Sequence, residues 1–163
     1  MKRKEIFHSP TKGEMDIEKV AKEISNFIKQ KPGKYQLVVG TDSEGSKRAD
    51  FITAIIAHRI GKGGIYFWKR TNGNKIYHTL RQRIYEEVNL SLRTAQKLLE
   101  ILGKNLNYSH LPGCDLQIHI DVGENGPTKD IIKEVVGIVR GNGFEAKIKP
   151  ESYGASIIAD KHI

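Results

Sequence analysis

The chain has 163 residues, 38% of them hydrophobic and 28% charged, which suits one globular domain with a real core and excludes a disordered chain. Lys and Arg outnumber Asp and Glu by 27 to 19, and the resulting net charge of +8 favours a polyanionic partner, nucleic acid first. The single cysteine, Cys114, excludes an internal disulfide, and no apolar run is long enough to cross a bilayer, so the composition points to a soluble, cytoplasmic protein.

Residues 1 to 14 carry Pro10, Gly13 and mixed charge and are expected to form a loosely held N-terminal arm, ahead of one domain over residues 15–163. Ile17, Val20, Ala21, Ile24, Phe27 and Ile28 recur at helical spacing and predict an amphipathic helix over 15–31, closed by Pro32 and Gly33. Leu37, Val38 and Val39 then form a short aliphatic run that reads as a strand buried on both faces. Gly40, Thr41, Asp42, Ser43 and Glu44 follow at once, so Asp42 sits where a rigid strand can aim a carboxylate at a ligand. Taken singly, Asp42 could equally be a turn former.

A β-branched run from Asp50 to Ile60, the turn Gly61-Lys62-Gly63-Gly64 and the run Ile65 to Arg70 complete an antiparallel three-strand meander. Leu80, Ile84, Val88, Leu92, Ala95, Leu99 and Leu102 predict a long helix with these residues on its core face, ending near Gly103. A loop leads to a fourth strand, Leu116 to Asp121, again closed by a carboxylate. Thr128 is the expected N-cap of a further helix containing Ile131, Val135 and Val139. Phe144 to Ile148 reads as a fifth strand, and Ser152 to Asp160 as a last helix.

This β-β-β-α-β-α-β-α order, with acids at Asp42, at Glu86 or Glu87, at Asp121 and at Asp160, resembles the ribonuclease H-like fold over residues 35 to 163. Two segments are similar to its uncharacterised bacterial YkuK type of predicted nucleases: Val39-Gly40-Thr41-Asp42-Ser43, and the run from Ile118-His119-Ile120-Asp121 through Ile148-Lys149-Pro150-Glu151-Ser152-Tyr153-Gly154-Ala155-Ser156 to Asp160. The resemblance implies an α/β domain with a five-stranded mixed sheet, flanking helices and one extra N-terminal helix. It also implies a carboxylate site made of Asp42, a helix acid, Asp121 and Asp160. At about 100° per residue, Glu87 flanks the apolar face of the long helix while Glu86 points away from it, so Glu87 is the helix acid expected at the site.

Acids suit the implied chemistry, since hard divalent cations prefer oxygen ligands. The resemblance implies two Mg²⁺ or Mn²⁺ ions, and two such ions about 3.5–4 Å apart serve phosphodiester hydrolysis by water. The substrate would be RNA, an RNA–DNA hybrid or branched DNA, and a junction substrate would call for a homodimer. Lys69, Arg70, Lys75, Arg81 and Arg83, with Arg93, could line a phosphate backbone, with Trp68 or Tyr77 as a stacking face, although Trp68 also suits the core. His119 and His162 lie beside carboxylates and could shuttle a proton. Each acid has an everyday alternative: Asp121 as a turn former, Asp160 as a surface charge, Glu87 as the i, i+4 partner of Arg83. Two other classes stay open, a non-catalytic nucleic-acid-binding module of the same fold and a nucleotide-binding phosphotransferase, alongside an assembly role for the N-terminal helix.

Overall fold

β3 (Tyr35–Glu44) is the strand that the rest of the structure is laid against. A computed structural model describes residues 5–44, 48–72, 76–106 and 114–152. In it β3 pairs antiparallel with β4 (Asp50–Arg59) on one side and parallel with β6 (Cys114–His119) on the other. β5 (Gly64–Asn72) completes the meander beyond β4, and β7 (Glu145–Lys147) runs parallel to β6. The β4–β5 turn needs its glycines: Gly61 and Gly63 have φ of 81° and 93°, and a Cβ on Gly64 would meet the Ala57 carbonyl oxygen at 2.5 Å.

The sheet has seven strands rather than five, in the order β2-β1-β5-β4-β3-β6-β7. The two additional strands come from the expected N-terminal arm. β1 (Phe7–Ser9) and β2 (Gly13–Met15) form a hairpin that adds to the edge of β5, with His8 opposite Trp68. Phe7 is fully buried, and that burial docks the hairpin. Three-residue strands are too short to show alternation, so Pro10 and Gly13 read as a loose segment when they in fact flank a hairpin connection. His8 and half-buried Trp68 stack at 4.5 Å between centroids.

Three helices cover one face of the sheet. α1 (Ile17–Gln30) starts at Asp16, whose side chain accepts a hydrogen bond from the Lys19 N–H at 2.9 Å. Its buried stripe of Ile17, Val20, Ala21, Ile24 and Ile28 joins the core with Leu37, Val39 and Ile55 of the sheet. α2 (Leu80–Leu106) contributes Ile84, Val88, Leu92, Ala95, Leu98 and Leu102 to that core. Leu80 does not join them: at the first turn of α2 it lies outside the packed layer and is 42% exposed. After β6, a 3₁₀ turn (Lys129–Ile131) leads into α3 (Ile132–Gly141), which buries Val135 and Val139. Thr128 does not cap it, because its hydroxyl turns back to accept the Gly123 N–H at 3.1 Å. The last expected helix, with Asp160 and His162, lies outside the described residues. Among the described residues no helix is long and apolar enough to cross a membrane.

The docking of the hairpin is testable. Phe7→Ala should cost about 3–5 kcal/mol in urea unfolding, the usual range for emptying a buried aromatic site. A loss below about 1 kcal/mol would show that β1 and β2 are not packed on the core.

Candidate active site

Strand alternation sends Leu37, Val39, Thr41 and Ser43 toward the helices and Asp42 to the other side of the pleat. The aliphatic pair gives way to hydroxyls as β3 nears its end, and α2 answers them in kind. Thr41 Oγ1 lies 2.8 Å from Ser91 Oγ and 3.0 Å from Thr53 Oγ1, all three residues buried. Ser43 Oγ donates to Glu87 Oε1 at 2.8 Å. Two residues of strand rise about 6.6 Å and four residues of helix about 6 Å, so Ser43 and Thr41 match Glu87 and Ser91 on a helix running the opposite way. The match turns Glu87 into the fold, where it is 6% exposed. Glu86 faces outward, and its carboxylate lies 3.9 Å from Arg93.

The parallel pairing of β3 with β6 ends at Gly40 opposite His119. Two residues further along each chain stand Asp42 and Asp121, at the carboxyl ends of adjacent parallel strands, where open α/β sheets place their ligand sites. The Ser43 N–H donates to Asp42 Oδ1 at 2.9 Å and orients that carboxylate. Asp121 Oδ1 lies 2.9 Å from Lys149 Nζ.

Electrostatics tie the three acids together. Burial pushes the Glu87 carboxyl from 4.5 up to about 8, and the nearby negative charges of Asp42 and Asp121 push the same way. The Ser43 hydroxyl and Arg83, one turn earlier on α2, act in the opposite direction without cancelling the rise. Glu87 is therefore protonated at neutral pH unless a cation joins the three carboxylates. The donor set, all oxygen, suits a hard divalent ion. Among the described residues no three acidic, His or Cys side chains already converge into a ligating cluster. Ser43 and Lys149 hold Glu87 and Asp121 in other contacts.

The basic residues are dispersed. Arg83 stands beside Glu87. Arg81 pairs with Glu134 of α3 at 2.7 Å, and the Tyr85 hydroxyl binds the same carboxylate, so these groups join α2 to α3. Arg70 lies 3.5 Å from Asp50. Lys69 is buried beneath the N-terminal segment, with its ammonium 2.9 Å from Glu5 and over the Phe7 ring; burial pulls its pKa down. Lys75 lies outside the described residues. Tyr77 meets Phe51 edge-on and is half-buried. His119 is buried on the opposite side of β6 from Ile118, with Nε2 3.3 Å from Gln117 Oε1. Burial, with Lys147 nearby, lowers its pKa to about 4, so its imidazole is neutral at pH 7. Sequence reasoning gave no role to Ser43, Thr41, Ser91 or Lys149; the first two lie in the strand-end motif and the last in the C-terminal one.

The mixed sheet, with the described helices packed on one of its faces, fits a ribonuclease H-like domain. Residues 19–163 match the ribonuclease H-like family, and the chain belongs to it. One relative is the uncharacterized protein YkuK of Bacillus subtilis, 34% identical over 164 residues that span 96% of this chain and 95% of that protein. No solved structure matches. Membership of this family supports a nucleic-acid-related function.

The raised Glu87 pKa has a thermodynamic consequence. Between pH 4.5 and about 8 the folded protein keeps a proton on Glu87 that the unfolded chain releases, so metal-free stability falls as pH rises through that window. In EDTA, Glu87→Gln and wild type should unfold at similar urea concentrations at pH 5. By pH 8.5 the variant should be more stable by a few kcal/mol. Parallel curves across that range would show that Glu87 titrates as an ordinary carboxyl.

Proposed function

We propose that this protein is a divalent-metal-dependent nuclease that hydrolyses phosphodiester bonds in RNA, RNA–DNA hybrid or branched DNA. The observation that carries the reading is the buried Glu87, whose carboxyl is pushed up to about 8 by burial and by two further carboxylates. A buried acid with two further carboxylates near enough to oppose its ionisation costs stability as an anion, and such arrangements occur where a cation or a reaction uses them. Asp42, Glu87 and Asp121 would hold Mg²⁺ or Mn²⁺, and Asp160 enters through the family resemblance. When bound, such ions lower the pKa of a bound water and neutralise charge on a phosphodiester.

The chain's own residues supply the rest. The Ser43 N–H and hydroxyl fix Asp42 and Glu87, and the Thr41–Ser91 contact holds α2 at the height that keeps Glu87 level with the strand end. Arg83, whose charge acts on Glu87, would be a candidate to meet a phosphate, and the net charge of +8 favours association with a polyanion. His119, neutral and buried, is poorly placed to deliver a proton to solvent or substrate. A non-catalytic nucleic-acid-binding module is the second reading. It is favoured by one observation, the Lys149–Asp121 pair, which already neutralises one of the acids.

Mn²⁺-dependent cleavage of labelled RNA, hybrid, single-stranded and branched DNA decides between them. Asp42→Asn and Asp121→Asn should each lower cleavage at least about a hundredfold, the usual scale for losing one participant in such a site. Both variants should keep the wild-type circular dichroism spectrum. Binding of nucleic acid without cleavage of any substrate by the wild type would favour the binding module.

A further inference from the structure

β5 carries one ammonium group into the helix layer. In the sheet register Thr41 stands opposite Thr53 and Thr53 opposite Lys69, so Lys69 shares a side of the sheet with the hydroxyls that meet Ser91 of α2. It lies two strands, about 10 Å, from Thr41. The Lys69 side chain is 6% exposed, with its ammonium 2.9 Å from Glu5 Oε1 and 5.4 Å from the centre of the Phe7 ring. Glu5 is 51% exposed, so this ion pair opens to solvent on its carboxylate side.

α2 brings two further cations to the same place. Leu90 packs with Ala49 and with Phe51 of β4, which fixes the side of α2 that looks over this part of the sheet. Arg93 and Lys97, three and seven residues further on, lie on that side and are exposed. Arg93 also comes within 3.9 Å of Glu86. The charges that act on Lys69 are one carboxylate, Glu5, and two cations, Arg93 and Lys97. Docking the N-terminal segment needs one cation to meet one carboxylate. Here three cations surround that carboxylate, and burial already opposes the charge of the first. An anion with several oxygens could meet all three, which the single Glu5 carboxylate does not. We propose that Lys69, Arg93 and Lys97 form a phosphate-binding site beside the carboxylate site, and that Glu5 occupies it until a phosphate group displaces it. The N-terminal segment thereby screens the site. The nucleic-acid reading enters only as the source of the phosphate, a backbone rather than a free anion.

The test is pyrophosphate calorimetry at low salt on the wild type, Glu5→Gln, Lys97→Glu, the double variant of these two and Glu23→Gln. Glu23→Gln removes the same charge from a different pair, the one with Lys12. Glu5→Gln should bind pyrophosphate on the order of tenfold more tightly than the wild type. Adding Lys97→Glu should cancel that gain, and Glu23→Gln should match the wild type. Fluorescence anisotropy with labelled single-stranded RNA then separates the sources. The same ranking of variants assigns the site to a nucleic-acid backbone, and a gain confined to pyrophosphate assigns it to a free phosphate. Glu5→Gln binding pyrophosphate no more tightly than the wild type or Glu23→Gln would overturn the proposal and leave the pair as a docking contact. If Glu5→Gln loses the wild-type circular dichroism spectrum, the exposed Lys97 decides instead. Lys97→Glu should then weaken wild-type binding on the order of tenfold, and unchanged binding would overturn the proposal. None of these outcomes depends on metal or on cleavage, so they stand apart from the test of the nuclease reading.

Discussion

The structure depends on the clasp between β3 and α2. Thr41 and Ser43 end a strand that is otherwise apolar on its helix-facing side, and Ser91 and Glu87 meet them from a helix running in the opposite sense. Buried hydroxyls must find partners, and here each finds one across the interface, which fixes how far α2 slides along the sheet. That position decides which helix residue faces the strand end. A slide of α2 along the sheet would carry Glu87 away from the Ser43 hydroxyl. The geometry that holds the core together is thus also what brings a third acid toward Asp42 and Asp121.

Bringing the acids together has a cost that the remaining contacts only partly relieve. Glu87 is buried, and Asp42 and Asp121 add repulsion when it ionises. Ser43, Arg83 and Lys149 each offset some of that charge from a different element: the strand end, the preceding turn of α2 and the chain after β7. On the proposed reading an added cation would replace a bound proton on Glu87 and relieve the repulsion at once. The chain's overall positive charge acts at longer range and favours association with a polyanion.

Much of this was legible in the sequence because the signals were long or periodic. The meander from Tyr35 to Asn72, the α1 stripe and the α2 rhythm from Ile84 onward follow directly from apolar spacing. The phase of α2 also distinguishes Glu87 from Glu86, since the neighbouring core positions Ile84, Val88 and Leu92 define the buried side. What was not legible depended on tertiary context. The β1–β2 hairpin has strands too short to carry a pattern, and only the burial of Phe7 makes it part of the sheet. Leu80 matches the helical rhythm yet lies beyond the edge of the packed layer. Thr128 has the right chemistry for an N-cap but is used inside its own loop. Sequence proximity grouped the basic residues, whereas the fold sends Lys69 under the N-terminal segment, Arg81 to α3 and Arg70 toward Asp50. The contact of Lys149 with Asp121 depends on β7 lying beside β6, a pairing of two separate segments.

The central claim is that Glu87 is an acid made difficult to ionise by burial and by its neighbours, and that a divalent cation would release it. The direct measurement is the Glu87 carboxyl titration by NMR, on protein labelled with ¹³C at glutamate, in EDTA and then in Mg²⁺. The account predicts a midpoint near 8 without metal, falling by more than one pH unit once Mg²⁺ is present. A midpoint near the ordinary 4.5 in EDTA, or a high midpoint that Mg²⁺ leaves unchanged, would contradict it.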